Sequence, residues 1–113
     1  MELPRGSDAV VDARKLHSYL LSSSHPVGRF KARFFRRLGF SAEEWELLEA
    51  EIQRSAREHE VEPVDSSEFG TKYLMRSRIT GPGGDAAEVI LVWIIRRGED
   101  VPRLVTAYPG EEL

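Results

Sequence analysis

The hydrophobic period changes once along this chain, and that change decides its fold class. Up to about residue 58 the apolar positions recur every three to four residues, as on one face of a helix. After Pro63 they alternate every second residue, as along a half-buried strand. A helical half followed by an extended half argues for the α+β class. N-terminal helices should pack on one face of a C-terminal antiparallel β-sheet of three to four strands. With 113 residues there is room for one core, so 1–113 reads as a single domain.

The local signals locate the elements. Residues 1–11 form a lead-in, with Val10 and Val11 as packing anchors. Asp12 is a suitable N-cap for a first helix whose apolar stripe is Leu16, Tyr19 and Leu20, and Ser22–Ser24 ends it. His25-Pro26 opens a second helix, because proline in a first turn lacks only an N–H that would be unpaired anyway. Phe30, Phe34 and Leu38 line that helix, five cations fill the rest of its surface, and Gly39 is the expected stop. Ser41-Ala42-Glu43-Glu44 has the capping-box pattern, with Phe40 and Trp45 at staple spacing, and predicts a third helix from there to Glu58.

In the second half, Tyr73–Thr80 alternates strictly and Glu88–Arg97 is apolar on both faces through Val89–Ile95, so the latter reads as the central strand. Arg103–Tyr108 makes a third long strand, and Val61–Val64 has room for a short one. Gly81–Asp85 and Arg97–Asp100 are turns by composition, so the strands follow one another as a meander.

Net charge is −3, but its distribution matters more. Residues 1–40 carry eight Lys/Arg against three Asp/Glu, and residues 41–68 carry two against ten. A basic segment is therefore hidden behind an acidic one, either as two solvated helix faces or as a surface for RNA. The absence of cysteine excludes a thiol nucleophile and a disulfide scaffold, and fits a reducing cytoplasm. Residues 1–5 lack the apolar stretch of a signal peptide, and the longest apolar run, Val89–Ile95, is too short to span a membrane.

Three histidines are candidates for proton transfer. His17 and His59 read as surface and helix-end residues. His25 stands before a basic helix whose free N–H groups suit phosphate, with Arg29 and Lys31 as cations close by. An imidazole there can accept and donate a proton near neutral pH, as metal-independent RNA cleavage needs. The plainer role for His25 is a helix cap. On the sheet, Arg97, Thr106 and Tyr108 are expected near one edge, with Leu104 sharing the face of Thr106 and Tyr108. Tyr73 and Trp93 could stack a base or fill the core. No zinc or Mg²⁺ ligand pattern and no cofactor-binding loop is present.

Several elements together, Leu3-Pro4, His25-Pro26-Val27-Gly28, Lys31-Ala32, Leu38-Gly39-Phe40, Thr80-Gly81-Pro82, Trp93-Ile94, Arg97-Gly98, Pro102-Arg103-Leu104 and Thr106-Ala107-Tyr108, resemble a small bacterial domain family of unknown function. Such domains occur alone and at the C-termini of large secreted or contact-dependent toxins. The resemblance implies a toxin-like nuclease of the broad class that includes colicin-type and RelE-type ribonucleases. His25 and Lys31 would be acid/base and phosphate groups, supported by Arg97, Thr106 and Tyr108. A cognate antitoxin or immunity protein is the implied partner. The competing expectation is a non-catalytic protein-binding module of a two-gene system.

Overall fold

The computed structural model describes residues 1–22, 24 and 28–110. The order is helical then extended: α1 (Ala13–Lys15) running into a wider π turn (Leu16–Leu20), α2 (Gly28–Arg37), α3 (Trp45–Glu58), then β1 (Val61–Ser67), β2 (Gly70–Thr80), β3 (Ala86–Arg96) and β4 (Arg103–Pro109). The strands form one antiparallel sheet in the order β1-β2-β3-β4. This is the α+β meander that the change of period predicts.

Asp12 caps α1 by accepting the Arg14 N–H at 2.9 Å. The following turn widens, with the Leu21 N–H reaching the Leu16 carbonyl at 2.8 Å. Widening brings Leu16, Leu20 and Leu21 all into the core and leaves Tyr19 at its margin. At the end of α2, Gly39 takes a φ of 101°, and the Phe40 N–H closes on the Phe35 carbonyl at 3.1 Å. That left-handed stop is the one expected of glycine after a helix.

The third helix begins later than its capping box predicts. Ser41–Glu44 forms a turn (Glu44 N–H to Ser41 carbonyl, 3.2 Å), and α3 starts at Trp45 with no side-chain cap. Burial of Phe40 pulls the chain into the core just before this point. The local capping signal yields to that packing.

One apolar cluster holds the domain together. Leu16, Leu20, Phe35, Leu48 and Ile52 from the helices meet Met75, Ile79, Val89, Leu91 and Trp93 from the central strands. Val10 bridges to β4 in parallel through the Leu104 N–H at 3.0 Å, so the lead-in segment covers part of that sheet edge.

The last strand departs from simple alternation. Val92 pairs with Thr106 but Trp93 pairs with Leu104, leaving Val105 as an extra residue. The bulge reverses the side-chain parity, so Leu104 and Ala107 both enter the core. Thr106 and Tyr108 then stand on the other face, opposite Val92 and Ile90. Simple alternation, which puts Leu104 with Thr106 and Tyr108, is corrected by this single inserted residue.

Candidate active site

The sheet face turned away from the helices carries three cross-strand rows. These are Lys72–Ile94–Arg103, Leu74–Val92–Thr106 and Arg76–Ile90–Tyr108. Its centre is apolar, Lys72, Arg76, Arg96 and Arg103 carry cations around it, and the β1 edge is acidic, with Glu62 opposite Leu74 and Asp65 opposite Lys72. Ile90 is buried but lies outside the core cluster, which marks the two faces as separate. Arg76 is paired with Glu88 at 3.2 Å and Arg103 with Glu99 at 3.1 Å, whereas Lys72 and Arg96 make no ion pair among the described residues. A depression of about 360 Å³ opens at the β1 edge, lined by Glu60, Val61, Glu62, Leu74 and Arg76.

At the β4 edge of this face a polar contact joins three separate elements. Lys31, on α2, donates to the Thr106 hydroxyl at 2.7 Å and to the Tyr19 hydroxyl at 2.9 Å. Its Nζ is also 5.0 Å from the centroid of the Tyr19 ring, a placement that favours a cation. Among the described residues no carboxylate pairs with it. A half-buried ammonium without a counter-ion leaves its positive charge available to an incoming anion. The Lys31 hydrogen bond holds the Tyr19 phenol below the usual tyrosine range; burial opposes this, and Thr106 reinforces it.

Three elements build this cluster. The π turn sets Tyr19, α2 carries Lys31, and the β4 bulge turns Thr106 out of the core. π turns recur at functional sites because they re-aim one side chain within an otherwise regular helix. Sequence reasoning did not pick out Tyr19, whose spacing made it one more member of an apolar stripe.

The other expected residues are scattered. His25 lies outside the described residues. Arg29 is exposed in the first turn of α2. Arg97 is beyond β3, in the turn where its N–H donates to the Phe69 carbonyl at 2.9 Å. Five residues along the strand separate it from Val92, the partner of Thr106, so about 16 Å of extended backbone lies between them. The expected gathering of Arg97 with Thr106 and Tyr108 is therefore corrected. Tyr73 is half-buried against the core cluster, on the opposite face from Thr106 and Tyr108. Trp93 is fully buried, and its Nε1 has no hydrogen-bond partner among the described residues. His17 leans on Trp45 with ring centroids 6.0 Å apart and contacts Ser18 at 2.8 Å.

Among the described residues no three His, Asp or Glu side chains gather as metal ligands, and no helix is long and apolar enough to cross a membrane.

Fold and site together define a small α+β domain with one helix-covered sheet face and one open face of apolar centre and charged rim. The chain belongs to the family described as Domain of unknown function (DUF6883), which it matches over residues 2–111. Among solved structures it is similar to a chain of the "Contact-dependent growth inhibition toxin - immunity protein complex from Klebsiella pneumoniae 342". The likeness has a TM-score of 0.71 at 20% sequence identity, covering 95% of this chain and 97% of that one. At that identity it establishes a shared fold. No curated protein matches the chain.

Proposed function

We propose that this domain is the toxin-side member of a toxin–immunity pair and acts as a metal-independent endoribonuclease in the cytoplasm. The observation that carries this reading is Lys31, held between Tyr19 and Thr106 with no carboxylate partner among the described residues, at the β4 edge of the open sheet face. The fold shared with a chain from a toxin–immunity complex supports the same class.

In this mechanism the open face receives RNA. Lys72 and Arg96 attract its phosphates, and Tyr108 and the apolar floor contact bases. The 2′-hydroxyl attacks the adjacent phosphorus and the 5′-oxygen leaves with a proton, producing a 2′,3′-cyclic phosphate and a 5′-hydroxyl. Lys31 offsets the charge that grows on the phosphorane oxygens, and Thr106 fixes its direction. The Tyr19 phenol, its affinity for a proton weakened by Lys31, exchanges a proton with a reacting oxygen. His25 is the second proton carrier. Arg29 and Arg97 are left to contact phosphates away from the cleavage point. An immunity protein would block the site by placing carboxylates over Lys31 and the basic helix.

The test is cleavage of total RNA by the purified domain in EDTA, comparing wild type with Lys31→Ala, Tyr19→Phe and His25→Ala. Loss of an acid, a base or a charge-stabilising group should slow cleavage by ~10²–10⁴ with circular dichroism unchanged. Products should end in cyclic phosphate. Cleavage that survives all three substitutions assigns the activity elsewhere. A folded wild type inert on every RNA would establish the non-catalytic binding module instead.

A further inference from the structure

On the helix side of the sheet, a groove of about 300 Å³ runs between α3 and the β2–β3 turn, lined by Phe40, Leu47, Ala50, Gly81 and Pro82. Its lining is mainly apolar, and Leu47 is 43% exposed, one of four large hydrophobic side chains so exposed among the described residues. Lone exposed apolar residues are ordinary on a protein surface. Here Leu47 is joined by exposed Ala50 and Pro82 over a buried Phe40 floor, which makes a shaped recess.

The walls are fixed in place. Glu51 accepts the Thr80 N–H at 2.9 Å and the Arg54 guanidinium at 2.9 Å, tying the helix to the end of β2. Gly81 lies directly against the Leu38 carbonyl, where no other residue would fit. A recess already formed before binding spares a ligand the cost of ordering it.

The α3 wall of the groove is acidic. Glu46 precedes Ala50 by four residues along the helix, and Glu44 stands directly before α3, its carbonyl accepting the Leu47 N–H at 3.1 Å. Both are exposed and neither is in an ion pair among the described residues, whereas Arg54 is already held by Glu51 and Glu58. An acidic wall repels phosphate and favours a cationic occupant over nucleic acid.

We propose that this groove docks a protein segment carrying bulky apolar side chains flanked by lysine or arginine. The apolar anchors fill the recess over Phe40, and the cations meet the carboxylates of Glu44 and Glu46. This surface is separate from the Lys31 site and does not depend on the ribonuclease reading.

The test pans the full chain against a displayed library of random short peptides and measures the selected peptides by fluorescence polarisation. Selected sequences should share an apolar anchor with flanking Lys/Arg. Leu47→Asp and, independently, Ala50→Glu should weaken their binding about tenfold or more, the scale of losing a central anchor. The combined Glu44→Gln, Glu46→Gln variant should bind more weakly and with a flatter salt dependence. Lys31→Ala should bind as wild type does, and Leu47→Asp should leave any RNA cleavage intact, which keeps the two sites distinguishable. Failure to enrich any peptide, or equal binding by the folded Leu47→Asp and Ala50→Glu variants, would overturn the proposal.

Discussion

Lys31 Nζ lies 2.7 Å from Thr106 Oγ1, joining the second helix to the last strand across 75 positions of sequence. The contact exists because the bulge at Val105 turns Thr106 away from the core at the strand edge that α2 approaches.

Deleting Val105 should leave the remaining β4 side chains on their faces, because Leu104, Thr106 and Ala107 then alternate directly against Trp93, Val92 and Leu91. Deleting Thr106 instead puts Val105 in the outward position and removes the hydroxyl to which Lys31 donates. We expect RNA cleavage to survive the Val105 deletion and to fall by up to ~10²-fold on the Thr106 deletion, since Lys31 loses its positioning partner. Equal cleavage by the two folded deletion variants would remove Thr106 from the site.

Tyr19 should ionise below the usual phenol value of about 10, because Lys31 donates to its hydroxyl. The sign of the linked stability follows from the lowered folded-state value. The Tyr19 contribution is absent at neutral pH, grows as pH rises through that value, and is complete above the unfolded phenol's range. Ultraviolet titration of tyrosinate in wild type and Lys31→Met checks this. The lowest-titrating phenol should move up in the variant, and an unchanged curve would remove Lys31 as the cause.

Gly81→Ala and Gly83→Ala form a matched pair in the same turn. A methyl at Gly81 collides with the Leu38 carbonyl, whereas at Gly83 it meets nothing within 4 Å. Denaturation should show a loss of roughly 1–3 kcal/mol for Gly81→Ala and roughly half a kcal/mol or less for Gly83→Ala. Equal costs would mean the turn moves freely from α2.

Trp93 fills the core while its indole N–H has no hydrogen-bond partner among the described residues. Trp93→Phe removes that buried donor together with some packing, so the two effects partly offset. Its cost should be well under the ~3–5 kcal/mol expected for Trp93→Ala. Equal costs in thermal unfolding would show that the unpaired donor has no energetic weight.

Much of the fold was legible in the residues. Asp12 and Gly39 act as the cap and stop that their chemistry predicts, and the Tyr73–Thr80 alternation lies within β2. The capping box at Ser41 was less informative, since burial of Phe40 outweighs the local cap and α3 begins at Trp45. The site was legible in part. Lys31 and Thr106 were both candidates, but Tyr19 was hidden in an apolar stripe, and Arg97 and Tyr73 stand apart from the Lys31 cluster.

What the sequence alone determined was the period of each segment, and with it the class, the element order and the meander, because side-chain periodicity and turn chemistry act between near neighbours. The tertiary structure decided which side chains share a face at the sheet edge. A bulge and a widened helical turn each depend on how distant surfaces pack. Only that packing sets Lys31 between Tyr19 and Thr106.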